Sequence, residues 1–292
     1  MDIISKNRKY IIVGLFPALL LYFVFVVYPI IRSFFYGFYD WNGLSQPVYI
    51  GMKNFYNILT DSIFWLSFRN NMFVVVASVF GQIPIGIILA VILSRNLKGA
   101  RFFRSAFFMP MVLSTVVVGL LWSTILNYNI GILNRVLIFL GLENLALNWL
   151  GDPKIAMYTV SAVIIWQFIG LHMIIFLAAI QNIPGEIGEA ADIDGASEIR
   201  KLFSITLPML WPTVMTAVVL CISGSMRSFD LVYVMTQGGP ANATELMATY
   251  MYNKTFEVYK YGYGSAVSLV IFVISFSFIL VSRSLMSKKL SD

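Results

Sequence analysis

Charge is scarce in this sequence. Only 12% of its 292 residues are Asp, Glu, Lys or Arg, about half the 25% usual in soluble domains. Reactive groups are scarcer still: there is one cysteine, Cys221, and one histidine, His172. A single cysteine forms no internal disulfide and says nothing of redox compartment. One His and one Cys cannot supply a metal cluster, and neither HExxH nor GxSxG occurs, so zinc hydrolysis and serine-esterase chemistry are excluded. GxxxxGK[ST] is also missing, so the chain does not cradle ATP phosphates through a P-loop. No Gly/Ser- or Pro-rich linker, low-complexity tract or solenoid-period repeat divides it. We expect one domain over 1–292.

What the sequence has in abundance is apolar surface: 59% hydrophobic residues, with 24 Phe, 15 Tyr and 6 Trp. A helix needs about 20 apolar residues to cross the hydrocarbon core. Six segments qualify, at 10–31, 72–94, 105–126, 155–180, 209–229 and 264–286. The expectation is an all-α membrane protein with six transmembrane helices. The first segment is longer than the apolar region of a secretory signal, and no small-residue cleavage site follows it.

Basic residues orient the spans. Twelve of the twenty fall in one set of short segments: Lys6, Arg8 and Lys9; Arg95, Lys98, Arg101 and Arg104; Arg200 and Lys201; Arg283, Lys288 and Lys289. The other eight lie in longer loops or near their span ends, with seven acids among them. Both termini are therefore expected in the cytoplasm of a multi-pass cell-membrane protein, with 32–71, 127–154 and 230–263 outside. The excess of positive charge reads as topogenic and lipid-facing, not as a nucleic-acid surface.

The spans hold almost no ionisable groups. His172 reads as a packed structural residue, and Arg227 lies near an outer end. Proton- or sodium-coupled carriers commonly place carboxylates in the bundle, and none lies at mid-membrane depth here. Neutral polar groups do occur: Gln82, Gln167, Ser223 and Ser225. They serve either as interhelical ties or, with Arg227, as the lining of a pathway for a hydroxyl-rich solute.

Residues 189–208, EAADIDGASEIRKLFSITLP, interrupt the apolar pattern. Pro184 pushes Ile183 out of the α region, ending the fourth span near Gln181. A short helix restarting at Pro184 places Ile187, Ala190 and Ala191 on one small face. Asp194-Gly195 makes a turn, since glycine tolerates the left-handed conformation. Asp194 or Ser197 caps a second helix, with Ile199, Leu202, Phe203 and Thr206 in one stripe, and Pro208 opens the fifth span. The segment is a helix–turn–helix hairpin suited to docking on a partner.

This hairpin resembles the EAA loop of ABC-transporter importer permeases: EAA, Gly six residues after the Glu, then Ile-x-Leu-Pro. Glu189, Ala190, Ala191, Gly195, Ile205, Leu207 and Pro208 stand in that register, and Asp194 and Ala196 complete the DGA variant of the sugar-uptake branch. A second stretch, FDLVYVMTQGGPANAT at 229–244, is similar to one found after span five in carbohydrate-uptake permeases. Gly238-Gly239-Pro240 reads as a turn, with Thr244 capping a helix over 245–256. The resemblance spans the whole chain with fading specificity and is closest to the first permease of maltose-type and glycerol-3-phosphate-type pairs, although no large outer domain is present. It implies a type I ABC importer permease fold, with the EAA loop as coupling helix. It also implies a second homologous permease, two cytoplasmic ATPase subunits and an extracytoplasmic solute-binding protein. The chain itself would carry no cofactor; ATP and Mg would sit on the ATPase. The substrate implied is a sugar or oligosaccharide, with glycerol 3-phosphate or another polyol derivative as the alternative. A secondary transporter or channel acting alone, or a membrane-embedded enzyme, are the rival classes. Asn242-Ala-Thr and Asn253-Lys-Thr match glycosylation sequons but read as chance matches in a bacterial or archaeal protein.

Overall fold

The computed structural model of the chain describes residues 8–95 and 97–288. Lys6 and Lys289 of the topogenic set lie outside the described residues. Nearly all regular structure is helical. Five helices are long and apolar enough to cross a membrane: Gly14–Tyr36, Ser62–Ser94, Ala156–Gln181, Glu198–Met226 and Tyr261–Ser282. They cover five of the six expected segments. The expected span at 105–126 is not one helix but two, Ala100–Val112 and Thr115–Ile125, bent by 98°.

The bend falls at Leu113 and Ser114, which leave the helical region with ψ of 147° and 130°, while Pro110 is held inside the first helix and Thr115 to Val118 inside the second. Hydropathy averaged over the segment cannot register such a break.

By packing, the chain divides into two units: residues through Asp61 with Met251–Val270, and Ser62–Tyr250 with the residues from Ile271 onward. The first unit holds helices α1 (Arg8–Tyr22) and α2 (Tyr28–Tyr36), joined by a π-helical turn at Phe23–Val27. There Tyr28 N–H reaches back to Phe23 O, widening the helix one residue before Pro29, whose ring would crowd the ordinary i−4 carbonyl. A two-residue antiparallel pair, β1 (Tyr39–Asp40) with β2 (Val48–Tyr49), precedes α3 (Lys53–Thr60). The buried Asn54 amide ties this corner together through the carbonyls of Gly37 (2.9 Å) and Tyr39 (3.0 Å).

The second unit is organised by α4 (Ser62–Ser94), α5 (Ala100–Val112), α6 (Thr115–Ile125), α7 (Ile132–Phe139) and α8 (Ala156–Gln181). The coupling-loop candidate follows as α9 (Gly185–Ile193) and α10 (Glu198–Lys201), then α11 (Leu207–Met226) and α12 (Asp230–Thr236). Small residues set the helix spacing, as is common where lipid offers no hydrophobic drive. A Cβ on Gly86 of α4 would press on His172 Cβ and the Met173 backbone of α8. One on Gly170 of α8 would land on the Phe107 carbonyl of α5. Around Val74, Val118, Val160, Ile164, Val232 and Leu246 a buried cluster joins α4, α6, α8, α12 and the segment after it.

The GGP turn is pinned from α4. Asn70 Nδ2 donates to the carbonyls of Ala243 (3.2 Å) and Glu245 (2.9 Å), and Asn71 Nδ2 to Ser225 O (3.0 Å). Asn71 Oδ1 accepts the N–H of Met247 at 2.8 Å. That contact supplies the N-terminal cap expected from Thr244: helix α13 starts at Met247 (Met247–Tyr252), two residues later than anticipated. Thr244 Oγ1 instead donates to Gly239 O (2.6 Å) and meets Thr236 Oγ1 (2.7 Å), closing the turn on itself. Asn71→Leu would leave the buried Met247 N–H without its partner, while Ser225 O keeps the Ser228 N–H at 3.2 Å. An unsatisfied buried donor costs about 1–3 kcal/mol, so the purified protein should show a thermal midpoint lowered by several degrees.

Candidate functional site

Two features of the second unit bear on function: the hairpin after α8 and a cavity between α4, α8 and α11. The hairpin forms where local sterics direct it. Helix α8 ends at Gln181; Pro184 is extended and serves as the residue before α9 rather than its first helical one. Helix α9 closes in a Schellman arrangement. Ala196 N–H bonds Ala191 O (2.9 Å) and Gly195 N–H bonds Asp192 O (3.1 Å), with Gly195 at φ +70°. Of the two candidate caps for the second limb, Ser197 fills the role: its Oγ accepts the Arg200 N–H at 3.3 Å.

The second limb is continuous with a span. A π-helical turn at Leu202–Thr206 lets the helix run into Pro208 without breaking, Leu207 N–H reaching Leu202 O. The helix therefore extends from Glu198 to Met226, 29 residues, about 43 Å at 1.5 Å per residue. A push on the hairpin moves one end of a rod whose other end borders the cavity.

Ion pairs brace the turn. Lys201 Nζ meets Asp192 (2.6 Å) and Glu198 (2.5 Å), and Arg95 from the segment after α4 meets Glu198 at 2.7 Å. Each is solvent-exposed on at least one partner and worth about 0–1 kcal/mol; of the three only Lys201–Asp192 bridges the two limbs. Glu189 and Ala190 are exposed while Ala191 is buried. Ile193 (88% exposed), Ile199 (70%) and Phe203 (65%) remain uncovered, an apolar surface that the charged turn alone does not explain.

The cavity, about 170 Å³, is walled largely by Ile164, Phe168, Leu171 and Leu220, with neutral hydrogen-bonding side chains set among them. Ser78 and Gln82 come from α4, His172 from α8, Cys221 and Ser225 from α11, and Ser228 from the turn beyond. His172 Nδ1 contacts Phe168 O (3.2 Å), and its Nε2 lies 3.3 Å from Cys221 Sγ. Cys221 Sγ is also 3.6 Å from Gln82 Oε1. No carboxylate, ammonium or guanidinium lines it among the described residues.

Comparison with known proteins resolves what such an arrangement belongs to. The family described as "Binding-protein-dependent transport system inner membrane component" matches residues 82–288. The "Probable ABC transporter permease protein" of Pyrococcus horikoshii is 36% identical over 277 residues, covering 94% of this chain and 95% of that one. The chain belongs to this permease family. The permease is also 33% identical over 261 residues to the multiple sugar-binding transport system permease protein MsmF of Streptococcus mutans, with 89% of each covered. In fold it matches a chain from the crystal structure of a bacterial ABC transporter involved in the import of the acidic polysaccharide alginate. The TM-score is 0.85 at 22% identity, over 98% of this chain and 97% of that one. It is a membrane-embedded transport subunit and not an enzyme. A carrier acting alone is set aside by this membership.

Of the pathway residues expected from polarity, the permease brings Gln82 and Ser225 to the cavity. Gln167 is buried between α8 and α6, where Nε2 meets Thr115 Oγ1 at 3.4 Å and Oε1 has no partner among the described residues. Ser223 is half-buried and off the cavity lining, and Arg227 is exposed, its Nε bonded to the Ser223 carbonyl of its own helix at 3.3 Å. Ser78, His172, Cys221 and Ser228 join the lining without having been expected there. For two of them the signal was spacing: Ser78 and Gln82 are four apart, as are Cys221 and Ser225, each pair on one helix face, whereas His172 and Ser228, the latter past the end of α11, carry no such pattern.

Proposed function

We propose that this permease is half of the membrane pathway of an ATP-driven importer for a sugar or oligosaccharide. A solute-binding protein delivers the solute on the outer side, a second homologous permease completes the pathway, and two ATPase subunits bearing ATP and Mg supply the energy. Both termini and the hairpin face the cytoplasm. The observation that carries this reading is the hairpin: a Schellman-closed turn in EAA register, braced by ion pairs and continuous with a span that borders the cavity. Docked in a cleft of the ATPase, with Glu189, Ala190, Ala191, Asp194, Gly195 and Ala196 at the contact and Ile205, Leu207 and Pro208 leading into the membrane, it converts ATPase closure into helix motion. Such motion switches access to the cavity from one side to the other.

Orientation is supported by the basic residues of the 95–104 segment and the hairpin, which share a face through the Arg95–Glu198 pair. The solute class is supported by the neutral cavity. Hydroxyl groups of a saccharide exchange hydrogen bonds with amide, hydroxyl and imidazole groups, whereas a phosphorylated polyol calls for a cation that the lining lacks. The named role of the Streptococcus mutans relative agrees with this choice.

The test is uptake into proteoliposomes holding the full importer, with its binding protein and candidate saccharides. Gln82→Leu removes hydrogen-bonding capacity worth about 1–1.5 kcal/mol. Transport should fall about tenfold while basal ATP hydrolysis is kept; unchanged uptake by Gln82→Leu and by Ser225→Val would remove the cavity from the pathway.

A further inference from the structure

The first unit contains a charge that neither the hairpin nor the pathway uses. Between Lys9 and Arg32 run 22 residues without a formal charge, about 33 Å of helix, close to the thickness of the hydrocarbon core. Arg32 therefore stands at the membrane boundary opposite the N-terminus. An ionisable group on a span calls for a partner. Among the described residues Arg32 has no carboxylate: its one hydrogen bond runs from Nη2 to Tyr36 Oη at 2.6 Å, and its guanidinium carbon lies 5.1 Å from the centre of that ring. A guanidinium has five N–H donors, so most of its capacity is unspent.

Arg32 opens onto a cavity of about 540 Å³. One end is aromatic, with Tyr36 stacked on Trp41 at 4.3 Å and Trp41 5.7 Å from Tyr261. Ser33 and Ser265 add hydroxyls to the lining. Tyr28, Pro29 and Met251 also line it, with Ser268 Oγ on Met251 Sδ at 2.7 Å, and Tyr28 is eight residues from Tyr36, about 12 Å along the helix. The cavity thus joins one cation, hydroxyl groups and aromatic rings at the membrane boundary to proline and thioether surface further along the span.

We propose that this cavity is a binding site for a glycerophospholipid. Arg32 holds the phosphate through the paired N–H geometry that guanidinium offers to phosphate, and the Ser33 and Ser265 hydroxyls take the remaining phosphate or glycerol oxygens. Tyr36, Trp41 and Tyr261 form the interfacial wall where amphipathic rings reside. The root of an acyl chain passes along Tyr28 and Met251. The site is independent of the transported solute. It supplies the counter-charge that Arg32 lacks among the described residues, and it gives the first span an anchor in the leaflet away from the N-terminus.

Native mass spectrometry of the detergent-purified assembly, titrated with phosphatidylglycerol, tests this. One tightly retained lipid per copy of the chain is expected, weakened about tenfold in Arg32→Gln and less in Arg32→Lys, which keeps the charge but not the fork. Ser265→Phe, which fills the cavity without touching the charge, should release the lipid as well. Millimolar inorganic phosphate should not displace it. Wild-type retention in Arg32→Gln and Ser265→Phe overturns the assignment. Displacement by inorganic phosphate or by a soluble sugar acid at concentrations matching the lipid would overturn it too, assigning the cavity to a soluble anion.

Discussion

Glu189→Lys and Gly195→Val should each reduce solute-stimulated ATP hydrolysis about fivefold or more, while the permease still inserts into the membrane. Gly195 sits at φ +70°, yet nothing lies within 4 Å of where its Cβ would be. The penalty is conformational only: an L-residue in the left-handed region costs roughly 1–2 kcal/mol, a factor of about 5–30 in the population of the closed turn. That is enough to unmake the end of α9, but too little and too local to unfold a helical bundle. A graded series follows from the same physics. Gly195→Asn, which adopts the left-handed conformation comparatively well, should keep most of the stimulation, and Gly195→Val should keep least. Glu189 is exposed, so reversing its charge disturbs a partner and not the permease fold. Coupling is measured in proteoliposomes containing the ATPase and the loaded binding protein. Wild-type stimulation in both Glu189→Lys and Gly195→Val would sink the coupling role of the hairpin.

The largest effect on stability is expected at Gly170. Its Cβ would meet the Phe107 carbonyl oxygen and Phe108 Cα, all backbone, so no change of rotamer relieves the contact. Helices α5 and α8 would have to separate, and overpacking of this kind costs about 1–3 kcal/mol or more. Gly170→Ala should lower the thermal midpoint of the purified permease sharply, and Gly170→Leu should leave little monodisperse protein. Gly188→Ala is the control. It lies inside α9 with nothing within 4 Å, so replacing glycine there should be neutral or stabilising by about 0.5–1 kcal/mol. Equal behaviour of Gly170→Ala and Gly188→Ala in size-exclusion and melting measurements would refute the close-packing account.

These two glycines mark what could be read in advance. At Gly195 the requirement is local: Pro184, Gly195 and Ser197 start, stop and cap helices through sterics and hydrogen bonds within a few residues of themselves, whereas Pro208, expected to open the span, is carried inside one helix from Glu198 to Met226. The hairpin was accordingly legible almost residue by residue. At Gly170 the requirement comes from Phe107, 63 positions away, and nothing near it in the sequence reports that neighbour. The same holds for Thr244, which has the chemistry of a helix cap but lost that role when Asn71 reached Met247 from another helix.

The apolar runs and the scarcity of charge determined by themselves that this is a membrane protein of several helical spans, and the resemblance of residues 189–208 to the EAA loop implied the permease. The apolar runs did so because the cost of exposing polar groups to lipid constrains composition over every stretch of about 20 residues. Only the tertiary structure decided that the third span breaks at Leu113–Ser114. It also decided that Gln82 and Ser225 share a cavity with Ser78, His172 and Cys221 while Gln167 and Arg227 stay off it, and that Arg32 opens onto an aromatic pocket. Those outcomes depend on which faces of distant helices meet, and that choice is made by side-chain packing across the bundle, not by the residues on either side in the chain.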